Sequence, residues 1–515
     1  MKKGSPDFAT SIRWQTVNVI SQVLLQLIFI MLLARLISKA DFGIMSIALV
    51  VVGFVEIFAQ IGIGPSLVQK KELSTANIRA ALQFSVALGV VFFLLLFGIA
   101  PQVGEWFLSE SLTGVLRWIA LSFILSSIAL VPRSLLIRKM EFKKLFGATL
   151  IAMVLGNLGI GLYLAYLGYG IWAYVAALLS QNALLGIAYW SFNLTPMSGF
   201  FGKWKWGDLR SMLLYGGKST VFNWFNYAAT KIDVVVVGEY SQASSAGNGW
   251  ATTGIYDRSA HLMSLPITIL GKLGDSVLFS GMSALQSNAS ALNRVLIRGL
   301  GLIGWIVIPG SLALAWFSTE TAVILLGMEY AEAGPVVRIL FLSVAFRSLI
   351  KLADAAVRAT DRLIPAIIIK AGYFLALGST AWAALHWGMG LEGVGWAVVG
   401  CTIAQFCIYF FWLFLAFKVD IKCAIRAILP GIICMVIATP GFWAISAFGP
   451  EWQSDEGGLD SMALGIRVTL VLGWTLFAWC IGALRYPEVL DGNDAELRKK
   501  WTGYLPKPLV NFMRK

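Results

Sequence analysis

Apolar residues in this chain do not alternate with polar ones. They continue for twenty residues or more before a polar break, and such runs lie near 12–37, 41–67, 78–100, 113–135, 146–167, 170–192, 211–238, 250–280, 295–317, 334–357, 363–386, 390–417, 424–447 and 463–484. A helix rising 1.5 Å per residue needs about 20 mostly apolar residues to cross a hydrocarbon core roughly 30 Å thick, so the pattern predicts about fourteen membrane-spanning helices. Only helices and closed barrels satisfy their backbone hydrogen bonds in lipid. A barrel would read as alternating segments of about ten residues, which these continuous runs are not. The first run is too long for a signal-peptide core and has no small-residue cleavage site behind it, so it is expected to be retained. The stretches between runs are short, and none has room for a separate folded domain. Function must therefore reside within the helices.

Composition agrees and narrows the class. The chain is 58% hydrophobic and 13% charged, where soluble proteins carry about 25% charged residues. A soluble enzyme and a disordered chain are both excluded. The net charge of +13 raises nucleic acid as a partner, but the basic residues follow topology instead, so none is expected. Lys2, Lys3 and Arg13 open the chain, and Lys139, Lys143, Lys144, Lys418 and Lys422 stand in later loops of the same side. Glu105, Glu110, Glu239, Glu320, Glu329, Glu451 and Asp460 occupy the opposite loops. By the positive-inside rule both termini are cytoplasmic. The five cysteines show no metal-ligand spacing, so no metal is expected.

The chain also reads as duplicated. Glu105 and Glu329, Arg138 and Arg362, and Trp172 and Trp396 share one spacing of about 224 residues. Internal repeats are the usual construction of secondary transporters, with the binding site between them near the midplane. The expected architecture is an all-α polytopic membrane protein: an N-lobe of six helices (1–192), a cytoplasmic linker (193–210), a pseudo-symmetric C-lobe of six helices (211–417), two further helices (418–485) and a cytoplasmic basic tail (486–515).

Charges within the spans carry the chemistry. A charge facing lipid at a helix centre costs about 2.5–3.5 kcal/mol on insertion scales. Lys218, Lys231, Arg258, Lys272, Arg347, Lys351 and Lys370 all fall within apolar runs; Lys218, Lys351 and Lys370 are near enough to an end to snorkel. Arg347, Lys351, Asp354 and Arg358 share one helical stripe, as do Ser219, Asn223, Asn226, Thr230 and Asp233, and Gln15, Asn18, Gln22 and Gln26. Three polar seams predict a hydrated lumen. Against the seven cations stand Glu56, Asp233, Asp257, Asp275 and Asp354, leaving a positive excess suited to an anion. Arg supplies bidentate contacts to phosphate and Lys a point charge. The alternative, complete Asp–Lys and Asp–Arg pairing with no ligand, stays open at this level. Glu56 with Gln60 and Asp257 with His261 are i,i+4 pairs able to carry a coupling ion, and Asp233 joins them as a candidate. No cofactor is expected beyond a proton or sodium ion for coupling. The absence of a Walker A sequence leaves no ATP hydrolysis to this chain.

Leu33-Ala-Arg-Leu-Ile-Ser38, Asp41-Phe-Gly-Ile44 and Gly62-Ile-Gly-Pro-Ser-Leu-Val-Gln-Lys-Lys-Glu-Leu73 resemble the N-terminal lobe of the polysaccharide transporter family. Gly254-Ile-Tyr-Asp-Arg-Ser-Ala-His-Leu-Met-Ser-Leu-Pro266 and Gly327-Met-Glu-Tyr330 resemble its second lobe, in order. That family belongs to the multidrug/oligosaccharidyl-lipid/polysaccharide (MOP) flippase superfamily, and the likest subgroup is the colanic-acid and xanthan type of Wzx flippases. The resemblance implies a MATE- and MOP-type fold acting as a monomeric transport unit in the bacterial inner membrane. It implies alternating-access translocation of undecaprenyl-pyrophosphate-linked oligosaccharide, with membrane lipid and polymerase or export machinery as further partners. The substrate-binding set would be Lys231, Arg258, Arg347, Lys351 and Asp354, with Lys218, Asn223 and Asn226. A cation-coupled multidrug exporter of the same fold would instead show an acidic lumen. A membrane-embedded polymerase or ligase would need catalytic carboxylates or a large external loop.

Overall fold

The computed structural model describes residues 8–60, 63–69, 73–192, 206–243, 249–284, 289–360, 362–451 and 460–485, and these are almost entirely helical. In order they are α1 (Phe8–Leu33), α2 (Lys39–Gln60), α3 (Ile63–Gln69), α4 (Thr75–Trp106), α5 (Glu110–Ile119), α6 (Leu121–Arg138), α7 (Phe142–Ala152), a π-helical stretch (Met153–Gly161), α8 (Leu162–Tyr166), α9 (Ile171–Phe192), α10 (Trp206–Ala243), α11 (Gly249–Ala284), α12 (Ala289–Trp316), α13 (Ser318–Leu326), a 3-10 turn (Met328–Ala333), α14 (Gly334–Leu342), α15 (Val344–Ala359), α16 (Leu363–His386), α17 (Gly390–Phe417), α18 (Ile421–Phe448) and α19 (Ser461–Arg485). The tail 486–515 and linker residues 193–205 lie outside the described residues, as do the side chains of Gln60, Lys218, Ser219, Lys272 and Asp275.

Every predicted apolar run falls on helix. Among the described residues, eleven helical segments are long and apolar enough to cross a membrane. The other three predicted spans coincide with α10, α11 and the α14–α15 pair, the helices that hold Lys231 and Asp233, Asp257 and Arg258, and Arg347 to Arg358. Caps set several ends. Ser38 and Asp41 form a capping box on α2, the Asp41 amide donating to Ser38 Oγ (3.1 Å) and the Ser38 amide to Asp41 Oδ2 (3.3 Å). Ser74 and Asn77 do the same on α4. Each box satisfies amides that a helix start leaves unpaired.

A few backbone features recur at nearly the spacing noted in the sequence. Predicted spans four and ten are each broken near the middle, at Ala120 between α5 and α6 and at Ser343 between α14 and α15. Gly168 and Gly170 precede α9 with φ of 83° and 53°; Gly388 and Gly390 open α17 with φ of 74° and 61°. Only glycine adopts this region without a Cβ penalty. The fifth span departs from expectation. The sequence predicts one run over 146–167, and the helix there instead carries the π stretch, where Gly156 and Gly161 let α9 approach closely at Gln181 and Ala177.

The described chain divides into two compact units, residues 1–261 with 325–330 and 363–397, and residues 262–324 with 331–362 and 398–515. In the first, α10 packs chiefly on α16 and α2, and α6 on α4 and α9. In the second, α12 packs on α18 and α15. Gly431 of α18 lies against the backbone of Gly304, and the indole of Trp474 covers Gly441 and donates to the Ala438 carbonyl at 3.0 Å. Glu320 and Arg467 form an ion pair at 3.5 Å, with 12% of each side chain exposed.

Candidate functional site

The stretches that carried the sequence resemblance meet in one place. At its capped N-terminus, α2 crosses the start of α11 with backbone against backbone. A Cβ on Gly43 would overlap the Trp250 carbonyl and lie 3.1 Å from the Gly254 amide nitrogen; one on Gly254 would overlap the Lys39 carbonyl. Small residues permit this approach, as they do at membrane helix interfaces generally. One turn either side, Phe42 supports the Arg258 guanidinium at 4.5 Å and Lys39 lies 5.7 Å over the Tyr330 ring. Gly327 lies beside Arg35. Asp41-Phe-Gly43, Gly254 to Arg258 and Gly327 to Tyr330 thus form a single contact.

Behind that crossing is a charged cluster. Arg258 is 4% exposed, and its Nη2 donates to Asp257. Asp257 also faces Lys231 of α10 at 3.7 Å. The ion pairing expected as the alternative to a ligand therefore exists for Asp257, but it leaves part of Arg258 unused. Its Nε and Nη1 are buried without a close acceptor, although the Tyr174 hydroxyl lies near enough to interact with the guanidinium, and the Tyr330 hydroxyl is buried and unpaired as well. Burying such groups unpaired costs about 1–3 kcal/mol each. Asp233 is held by the Tyr256 hydroxyl at 2.9 Å. Burial raises the Tyr330 phenol above its ordinary value, so it stays a protonated donor.

Farther along α2 and α10 the contact becomes aromatic and accessible. Phe54 and Phe58 approach Trp224, and the Tyr227 hydroxyl donates to the Leu49 carbonyl at 3.2 Å. Asn223 and Thr230 are exposed on α10, while Glu56 and Asn226 are half-buried. Asn226 Oδ1 accepts from Lys370 of α16 at 2.9 Å. Lys370 does not snorkel as its sequence position predicted: it is 2% exposed, with its ammonium 5.2 Å over the Phe222 ring. Packing between α10 and α16 and the Asn226 amide outweigh the short route to a helix end.

Arg347, Lys351, Asp354 and Arg358 lie in the second unit, on α15. Arg347, Lys351 and Arg358 are half-buried and Asp354 is 3% exposed. Asp354 Oδ1 accepts from the Tyr409 hydroxyl of α17 at 2.9 Å. Tyr409 and Tyr330 were missed in the sequence. A tyrosine in an apolar run looks like any other hydrophobic residue until its partner is known, and only the Gly-Met-Glu-Tyr330 motif offered a signal.

The described helices, eleven of them long and apolar enough to cross a membrane, define a multi-pass all-helical membrane fold. It is shared with the lipid II flippase MurJ in an inward closed conformation (TM-score 0.67, 12% identity, 93% of this chain and 99% of that one). It is shared too with an inward-facing multidrug resistance MATE family transporter of the MOP superfamily (TM-score 0.62, 14% identity, 78% and 98%). Residues 32–335 match the polysaccharide biosynthesis protein family, and the chain belongs to it. It is 23% identical over 336 residues to the lipopolysaccharide biosynthesis protein WzxC of Escherichia coli K12, covering 64% of this chain and 65% of that relative, just under two thirds of its length. To the teichuronic acid biosynthesis protein TuaB of Bacillus subtilis 168 it is 21% identical over 470 residues, covering 88% and 92%.

Proposed function

We propose that this chain translocates undecaprenyl-pyrophosphate-linked oligosaccharide repeat units across the bacterial inner membrane by alternating access between two six-helix lobes, for exopolysaccharide, O-antigen or capsule assembly. The observation that carries this reading is the accessibility profile of α2. From Phe42 to Val52 the helix is buried at all but two positions, and from Gly53 to Ala59 it is partly accessible on every side. On this reading the more accessible half of α2 borders the substrate path and the buried half lies where that path is closed. With both termini cytoplasmic, the accessible half marks a mouth that faces the cytoplasm and the Gly43–Gly254 crossing is the external closure.

The donors of Arg258 that Asp257 does not take suit a pyrophosphate, whose oxygens accept in the bidentate geometry a guanidinium offers. Lys231, Arg347 and Lys351 add positive charge, and Asp354 limits how tightly the anion is held. Lys218, Asn223 and Asn226 complete the assigned set. Of the coupling-ion candidates, Asp233 and Asp257 are engaged by Tyr256, Arg258 and Lys231; Glu56, half-buried near the mouth, and His261 complete that group.

The test is complementation of a strain lacking the gene, in which lipid-linked precursor accumulates on the cytoplasmic leaflet. Arg258→Ala and Arg347→Ala should each fail to clear it at wild-type abundance, and the Lys variants should restore part of the activity because charge is kept while bidentate geometry is lost. Normal clearance by both Ala variants overturns the assignment.

A further inference from the structure

Between the charged cluster and the mouth, the aromatic side chains of one patch have no role in the reading above, and Asn223 beside them was assigned to cargo without a stated part. Phe54 and Phe58 of α2 stand 5.7 and 6.2 Å from Trp224 of α10, and Tyr227 meets Phe54 edge-on at 5.2 Å. A sealed core would bury these rings, yet Phe58 is 40% exposed, the one exposed position among the described residues of α2. Trp224 is half-buried and its neighbour Asn223 is exposed.

A lipid-facing surface would look different. On α16, Ile364, Ile368 and Leu375 are 65%, 65% and 67% exposed and form an apolar stripe. The exposed positions on this stretch of α10 are Val221, Asn223 and Thr230, and Glu56 of α2 is half-buried, a mixed set rather than an apolar stripe. Aromatic rings beside an exposed amide fit a pyranose ring. Its C–H face is apolar and stacks on an aromatic ring, while its equatorial hydroxyls need donors and acceptors; binding sites combine apolar walls with a few placed polar groups in this way.

We infer that Trp224, Phe58 and Asn223 form a subsite for a sugar ring of the cargo. Trp224 and Phe58 take the C–H face, and the Asn223 amide pairs with hydroxyls. Tyr227 is a positioning residue, because its hydroxyl is committed to the α2 backbone at Leu49. The placement suits the cargo: Trp224 precedes Lys231 by two helical turns, about 10 Å along α10. A pyrophosphate at Lys231 and Arg258 leaves its glycan trailing towards the mouth, over this patch. Stacking tolerates different sugars but distinguishes a glycosylated lipid from a bare one.

This inference rests on the proposed function, and the experiment separates the two. Full-length protein in lipid nanodiscs is titrated with undecaprenyl pyrophosphate and with the lipid-linked oligosaccharide recovered from the deletion strain. Trp224→Ala and Asn223→Ala should weaken binding of the glycosylated lipid about tenfold and leave the bare lipid unchanged, whereas Arg258→Ala should weaken both. Trp224→Phe keeps a ring and should cost about threefold; with Asn223→Ala it carries the test if Trp224→Ala does not accumulate. Equal losses for the two lipids, or none, overturn the subsite. If the wild-type protein binds neither lipid, the proposed function itself fails.

Discussion

If the Gly43–Gly254 crossing is the external closure, a single methyl group should open it. In Gly43→Ala the new carbon falls on the Trp250 carbonyl and 3.1 Å from the Gly254 amide nitrogen. Both obstacles are backbone, so no side-chain rotation relieves the overlap and the helices must separate. Overpacking of this kind costs about 1–3 kcal/mol, charged only to the conformation in which α2 and α11 touch. A shift of about 2 kcal/mol changes the ratio of closed to open molecules roughly thirtyfold. Thiol labelling reads that ratio directly, in a background lacking Cys401, Cys407, Cys423, Cys434 and Cys480. Phe58→Cys reports the mouth and Ser46→Cys, at a site 2% exposed, reports the sealed half. Adding Gly43→Ala should slow labelling of the first from the cytoplasmic side and make the second reactive towards an impermeant reagent from outside. Unchanged labelling at both sites, with normal abundance, would refute the gate.

Other perturbations test other contacts. Tyr409→Phe removes the hydroxyl donated to the buried Asp354 carboxyl and should destabilise the purified protein by about 1.5–3 kcal/mol, the range for hydrogen bonds to charged groups; an unaltered thermal midpoint would count against that bond. Glu320→Gln leaves Arg467 largely buried without its counter-charge, at a cost of about 3 kcal/mol. Adding Arg467→Met should recover part of that loss, and a coupling energy below about 0.5 kcal/mol in the double-mutant cycle would show that the pair contributes nothing. Lys370→Met removes a buried cation, so membrane abundance should hold or rise while clearance of precursor falls; full clearance would remove Lys370 from any role in receiving an anion.

The spans were legible because lipid demands unbroken apolar runs, and the charges within α10, α11 and α15 were conspicuous because each is costly there. Partners were harder to read. Helical spacing paired Asp257 with His261, four residues on, and passed over Arg258, since adjacent residues point about 100° apart. A guanidinium on a long flexible stem nevertheless reaches back to its neighbour. The stripe on α15 is real as spacing, yet its members are not equivalent: Asp354 turns in to Tyr409, while the three cations stay half-buried. The π stretch left no mark in the hydrophobic pattern, because Gly156, Gly159 and Gly161 change helix geometry without introducing polarity. Gly43 and Gly254 could be singled out only through the motifs that contain them; glycine serves many purposes, and a close crossing is known only once both helices are placed.

The charges on α10 and α11 also bear on how the chain enters the membrane. Lys231, Asp233, Asp257 and Arg258 would each cost about 2.5–3.5 kcal/mol if met by lipid singly, enough together to stall either helix at the insertion machinery. Lys231 and Asp257 sit on consecutive helices, 3.7 Å apart, and Asp233 meets Tyr256 across the same pair. Entering as a hairpin, α10 and α11 present lipid with matched partners rather than isolated charges. Lys231 and Arg258, assigned to cargo, and Asp233 and Asp257, assigned as coupling-ion candidates, therefore favour insertion of α10 and α11 as a pair.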